Sequence, residues 1–183
     1  VALAPDKPYD KDGCFSGSAL VKDDTLWLMY TGHIVHEDGR VSQVQNIAYS
    51  TDGIHFEKIE ENPVATGDIL PSDLIAADFR DAKLFEKDGH CYAVVAAKHK
   101  DERGTVVLLG SDDLRNWHFE SIFLKGEAHQ GFMWECPDFF EVDGQAYILV
   151  SPMRYQETDH DFRNLNSSVL IAGRVDWEKK EFL

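Results

Sequence analysis

Apolar and polar positions alternate along this chain in short bursts, and no apolar stripe at helical spacing runs for a useful length. The bursts are rich in β-branched and aromatic residues: TLWLMYTG from Thr25, QNIAYS from Gln45, CYAVVAAK from Cys91, TVVLLGS from Thr105, QAYILVS from Gln145 and SVLIAG from Ser168. Between them lie Asp-Asp, Asp-Gly and Asp-Asp-Leu sequences, which punctuate hairpins because aspartate and glycine tolerate the backbone angles of tight turns. The pattern predicts an all-β protein.

The bursts also repeat. Leu20–Asp24 precedes TLWLMY, Leu84–Gly89 precedes HCYAVV, and Phe139–Gly144 precedes QAYILV, which sets Asp24, Asp88 and Asp143 as matching turn residues. A third strand follows each hairpin, then an Asp-containing turn and an aromatic, in AYSTDGIHFEK, LLGSDDLRNWHFE and AGRVDWEKKEF. Four strands per repeating unit is the signature of a propeller blade. The expected fold is therefore a partial β-propeller of about three blades, each a four-stranded antiparallel sheet. An ordinary β-sandwich would not match turns at three positions. With these turns aligned, Ser16, Arg80 and Glu135 become equivalent, preceded by Phe15, Phe79 and Trp134 and followed by Gly17, Asp81 and Cys136. The inner strand of each blade lines the central channel, so these positions should converge at one mouth.

Composition narrows the partners. The chain has 183 residues and is 43% hydrophobic, enough for one domain with a sizeable core. Its 33 acidic residues against 18 Lys and Arg leave a formal charge of -15, which repels nucleic acid and anionic membranes. Cys14, Cys91 and Cys136 cannot all pair and form no C-x-x-C, which favours the reducing cytoplasm. The opening VALAPDKPYDKDG lacks the basic start and apolar core of a secretory signal, and the longest apolar run, Cys91–Ala97, is too short to span a bilayer. His33 and His36, or Asp159–Asp161, offer no third metal ligand at a recognisable spacing, and there is no Gly-rich phosphate loop, so neither metal nor cofactor is expected. Trp27, Trp117 and Trp177 sit in or after blade strands and read as packing between blades.

One stretch asks for chemistry. MWECPDFF places Glu135 between Trp134 and Cys136 and close to Phe139, apolar surroundings that would raise its proton affinity. Asp81 has Arg80 beside it, a cation that would keep it ionised. A proton-holding carboxyl and an ionised one facing the same cavity suit the cleavage of a glycosidic bond. From residue types alone the alternative, a turn glutamate without a role, stays open.

YDKDGCFSGSA (Tyr9–Ala19), FRDAK (Phe79–Lys83) and WECPDFF (Trp134–Phe140) closely resemble glycoside hydrolase family 32, the β-fructofuranosidases. The likeness continues through YTGH (Tyr30–His33) and NLNSSVLIAGRVDWEKKEF (Asn164–Phe182), the latter most similar to bacterial intracellular members. The resemblance implies a five-bladed propeller with its site in the central funnel, followed by a β-sandwich. It also implies retaining hydrolysis, without metal or cofactor, of sucrose, sucrose 6-phosphate or short fructans. Glu135 would then be the general acid/base and Asp81 the transition-state stabiliser, with Arg80 beside it. Phe15 and Ser16 would line the fructose subsite, and Cys136 would sit against the acid and adjust its proton affinity.

Two departures matter. Ala82 stands where the family usually has proline, which removes no functional group, so the role of Asp81 is kept. The family's Asn-Asp-Pro-Asn-Gly motif with the nucleophilic aspartate is not in the sequence, and neither Asp6 nor Asp10 matches it. Residues 1–183 are therefore expected to be a central fragment of the catalytic propeller, without the nucleophile-bearing blade or the sandwich. Such a fragment should be inactive by itself and prone to self-association through open blade edges. A non-catalytic sugar-binding propeller, or another five-bladed glycosidase of the arabinan or xylan type, are the competing readings. The basic group Lys98, His99, Lys100 and Arg103 is expected to be solvated at the outer end of a strand, which favours unphosphorylated sucrose or short fructans.

Overall fold

A computed structural model describes residues 1–164 and 166–183, and it folds the predicted bursts into strands. The first antiparallel sheet runs β1 (Gly13–Lys22), β2 (Thr25–Val35), β3 (Val41–Ser50) and β4 (Glu57–Lys58) in chain order. The second runs β5 (Arg80–Lys87), β6 (His90–His99), β7 (Arg103–Ser111) and β8 (His118–Lys125). The third contains β9 (Met133–Val142), β10 (Gln145–Met153) and β11 (Val169–Gly173). After Arg174, β12 (Val175–Asp176) pairs with β13 (Glu181–Phe182), so the fourth strand of this blade is only a short ribbon. Leu165, within the Asn164–Phe182 stretch, lies outside the described residues.

The inner hairpins close through two-residue turns that need positive φ at both positions. Asp23 and Asp24 supply it at 50° and 55°, Asp88 and Gly89 at 52° and 84°, and Asp143 and Gly144 at 52° and 79°. Asp23, not Asp24, therefore matches Asp88 and Asp143. The first turn carries aspartate where the others carry glycine, and alignment on the last aspartate slips by one. The corrected register puts Phe15, Arg80 and Glu135 in one row, and Ser16, Asp81 and Cys136 in the next.

Immediately past that row every inner strand bulges. The pairing register shifts between Phe15 and Gly17 in β1, between Arg80 and Lys83 in β5, and in β9 opposite Leu149–Ser151. An unpaired extra residue bends the strand and re-aims its side chains. Three bulges at matching places therefore turn the same segment of each blade towards the axis.

Two cores hold the blades face to face. Met29 and Ile47 of the first blade meet Leu84, Ala93, Val95, Val107 and Leu109 of the second. On its other side the second blade packs Val94, Val106, Leu108 and Phe123 against Trp134, Phe139, Ile148 and Val150 of the third. Burying one such side chain stabilises by about 1.5–3 kcal/mol. Consecutive β6 residues thus enter different cores, which is why Cys91–Ala97 reads as one unbroken apolar run. Trp27 and Trp117 join the first core, and Trp177 lies 5.6 Å from Tyr92 and 6.3 Å from Phe139, all in packing between blades. Lys22–Glu86 (2.8 Å) and Lys87–Glu141 (2.9 Å) repeat the same ion pair across the two seams. The outward face of the third blade leaves Phe140, Val142, Leu149 and Leu170 exposed. Among the described residues, no helix is long and apolar enough to cross a membrane.

Candidate active site

The six residues singled out from sequence, Phe15, Ser16, Arg80, Asp81, Glu135 and Cys136, all line one open cavity of about 700 Å³. Cys14, Gln43 and Asp78 complete its polar wall. Phe15 stacks on His33 with ring centroids 4.3 Å apart and planes 11° apart, which makes a stiff apolar side to the cavity. Ser16 also borders a smaller cavity of about 210 Å³ beside Asp81 and Cys136.

Arg80 is the hub. Its Nη2 donates to Glu135 Oε1 at 3.1 Å, and its Nη1 donates to Asp78 Oδ1 at 3.0 Å and Gln43 Oε1 at 3.2 Å. Burial alone would lower its pKa, but the bonds to Asp78 and Glu135 raise it further, so the guanidinium stays charged. Its fork suits two carboxylates at once. Asp81, beside it in sequence and expected to be held ionised by it, lies farther off, 3.9 Å from Nε.

Asp81 itself departs from expectation. Burial pushes its carboxyl pKa above the usual range, outweighing the Cys136 N–H and Arg80. Arg80 still favours the ionised form, but by less than burial opposes it. Asp81 has φ of 63°, and Cys136 in the matching place has 47°. A left-handed conformation costs a non-glycine residue roughly 1–2 kcal/mol. Asp81 Oδ2 accepts from the Cys136 backbone N–H at 3.0 Å and from its Sγ at 3.6 Å. The Cys136 thiol is raised by burial and by the Asp81 charge, so it stays protonated and can donate. Cys136 therefore leans on Asp81, and not on Glu135 as expected.

The surroundings of Glu135 also differ. Successive strand residues point to opposite faces. Trp134 turns into the core between blades, where its Nε1 donates to Gln130 O at 2.7 Å and its ring fills the space left by Gly104 and Gly126. Glu135 itself faces the cavity, 39% exposed, with Arg80 as its partner. Its apolar sequence neighbours are thus not its spatial ones.

Asp10 is fully buried and answers to other groups. It accepts from Tyr30 Oη at 2.7 Å, Lys58 Nζ at 2.6 Å and the Lys7 N–H at 2.9 Å. Burial alone would raise its pKa, but these bonds outweigh it and lower it. It ties the opening segment to β4 and does not face the cavity. Lys98, expected at an outer strand end, instead lies near the site-bearing end of β6, since Ala96 pairs with Arg80; its Nζ is tied to Glu102 at 2.8 Å.

Sequence reasoning missed Gln43, Thr31, Gln45 and Asp78. The signal for the glutamines was present: SQVQN sets three amides in a strand that is otherwise core, and Gln43, Gln45 and Asn46 are all buried. Buried amides demand partners.

The structure is a set of antiparallel propeller blades that bring Arg80, Asp78, Asp81 and Glu135 to one mouth. The chain belongs to glycoside hydrolase family 32: the model described as "Glycosyl hydrolases family 32 N-terminal domain" matches residues 1–183. It is 39% identical to the sucrose-6-phosphate hydrolase of Bacillus subtilis over 99% of this chain and 37% of that protein. It is 40% identical to the raffinose invertase of Escherichia coli over 94% of this chain and 36% of that protein. The chain thus spans little more than a third of these relatives. Among solved structures, a variant of the Bombyx mori family 32 β-fructofuranosidase in complex with sucrose superposes with a TM-score of 0.89 at 36% identity, over 100% of this chain and 38% of that one. A family 43 β-xylosidase/α-arabinofuranosidase from a compost metagenome, at TM-score 0.64, 15% identity and 92% and 56% coverage, shares the fold alone.

Proposed function

We propose that residues 1–183 form the part of a β-fructofuranosidase propeller that carries the acid/base Glu135 and the transition-state stabiliser Asp81. The observation that carries this reading is Arg80, which holds the Glu135 carboxylate at 3.1 Å in the same sugar-sized cavity that Asp81 lines. The names of the family 32 relatives, on sucrose and its 6-phosphate, support it. In this reading Glu135 delivers a proton to the leaving oxygen of the glycosidic bond. Asp81 accepts hydroxyls of the fructosyl ring, and its negative charge counts most as the ring becomes oxocarbenium-like. Phe15, backed by His33, and Ser16 wall the fructose subsite, and the Cys136 thiol steadies Asp81.

A retaining reaction also needs a nucleophile about 5–5.5 Å from the acid. We assign it to a part of the protein outside residues 1–183, along with the sandwich domain. Unphosphorylated sucrose or short fructans are the preferred substrates, because Arg80, the one cation among the described residues lining the larger cavity, is already engaged by Asp78, Glu135 and Gln43, and Lys83 of the smaller cavity is paired with Asp138. The exposed Phe140, Leu149 and Leu170 support self-association of the chain when isolated, and the free Cys14, Cys91 and Cys136 support a cytoplasmic site of action.

The test is Glu135→Gln in the full-length enzyme. It keeps the shape, removes the proton, and should lower kcat on sucrose by ~10²–10⁴-fold. A near-normal kcat sinks the assignment.

A further inference from the structure

The backbone that presents Arg80 and Asp81 is gripped from the neighbouring blade. β5 leaves its ladder at the bulge, where Arg80 pairs with Ala96 and the next paired residue is Lys83. The Asp81 amide finds its acceptor in Thr31 Oγ1 of β2, at 2.9 Å. Thr31 Oγ1 in turn lies 3.1 Å from Gln45 Oε1, and Gln45 Nε2 donates to the Phe79 carbonyl at 2.9 Å. Thr31 and Gln45 are both wholly buried.

The direction of every proton in this chain follows from its ends. A carbonyl only accepts, so Gln45 must turn its amino group to Phe79 and its oxygen to Thr31. The Thr31 hydroxyl has one proton and must give it to that oxygen. What remains for Asp81 is a lone pair, which is what a backbone N–H requires. The network therefore grips the peptide on both sides of Arg80, at the Phe79 carbonyl and the Asp81 amide, and has one satisfied arrangement. Asp81 keeps its left-handed φ of 63° inside that grip.

We propose that Thr31 and Gln45 are positioning residues that hold Asp81 in the conformation aiming its carboxylate, and Arg80, into the cavity. They touch no substrate and act across the seam between the first two blades. The proposal rests on the catalytic reading of Asp81 given above and extends it to the residues that set its geometry.

The experiment uses the full-length enzyme with Thr31→Val, Thr31→Ser and Asp81→Asn, each followed by kcat, KM and thermal unfolding. Thr31→Val keeps the shape and removes the hydroxyl; it should lower kcat by about 10–100-fold, as small misplacements do, with KM within about threefold. Thr31→Ser restores the hydroxyl and should return kcat to within about threefold of the parent. If Thr31→Val does not fold, Gln45→Met reads the same network from its other end, with the same kcat loss expected. Asp81→Asn separates the two ideas. If it loses kcat while Thr31→Val, or Gln45→Met in its place, keeps it, the positioning role is overturned and the catalytic reading stands. If Asp81→Asn keeps kcat, the catalytic reading falls first and the proposal with it. A Thr31→Val enzyme that loses only melting temperature, with kcat per folded molecule unchanged, also overturns the positioning role.

Discussion

Arg80 donates to Glu135 of the third blade at 3.1 Å while its other arm meets Gln43 of the first blade at 3.2 Å. One guanidinium from the second blade therefore spans both of its neighbours. Arg80→Lys keeps the charge but loses the fork. Charge-assisted hydrogen bonds are each worth about 1.5–3 kcal/mol. A fall of about 10–100-fold in kcat/KM of the full-length enzyme is expected, and steady-state kinetics on sucrose that match the parent would mean the bridge carries no weight.

Asp81 should trade stability for activity. Its folded pKa lies above the unfolded value of 3.8, so the native state holds this proton more tightly than the unfolded chain does. The ionised carboxylate therefore costs stability above its folded pKa, and the cost fades as pH falls towards and below 3.8. Asn also tolerates the left-handed backbone well. Asp81→Asn should raise Tm at pH 7 by about 2–4 °C, the response of a domain this size to about 1 kcal/mol. At the same time it should lower kcat by ~10²–10³-fold. Calorimetry at pH 7 and pH 3 checks the sign, since the gain must shrink at the lower pH.

The buried Asp10–Lys58 pair has the opposite pH signature. Asp10 titrates below its usual value, so its contribution is complete above the unfolded pKa of 3.8 and is lost as pH falls through the lower folded pKa. Lys58→Met leaves that carboxylate without its cation and should destabilise by about 3–5 kcal/mol at pH 7. In Asp10→Asn the acid unfolding curve should lose this component below pH 3.8. Equilibrium denaturation across about pH 2–7 would expose an unchanged slope.

The 183-residue chain alone should release no fructose from sucrose or inulin. The described carboxylates on the cavity wall are Asp78, Asp81 and Glu135, each committed to Arg80 or Cys136, and Asp10 is sequestered by Lys58 and Tyr30. None is free to attack a sugar carbon. Fructose release by purified chain that Glu135→Gln abolishes would show that one of them does.

The sequence carried the strands well because blade seams bury both faces of strands such as Cys91–Ala97 and because tight turns restrict residue choice at Asp88-Gly89 and Asp143-Gly144. It misled by one residue at Asp23-Asp24, where either aspartate fits a left-handed position. The site residues were legible as motifs, but their environments were not. Trp134 adjoins Glu135 in sequence and leaves it in space, while Arg80 finds Glu135 at a separation of 55 residues and Gln43 at 37. Thr31 reaches Asp81 from 50 residues away, a distance no local pattern encodes.

The grip of one blade on the next governs how the proposed full-length enzyme fails. Loosening the first seam releases the Asp81 amide from Thr31 and Arg80 from Gln43, and loosening the second frees Glu135 from Arg80. Neither seam can open while the cavity stays assembled, so the cavity acts as a witness to the docking of all three blades. Under gradual denaturant, activity should vanish at the first seam to part, before any single sheet has melted. A partly opened molecule would then be silent instead of merely slow.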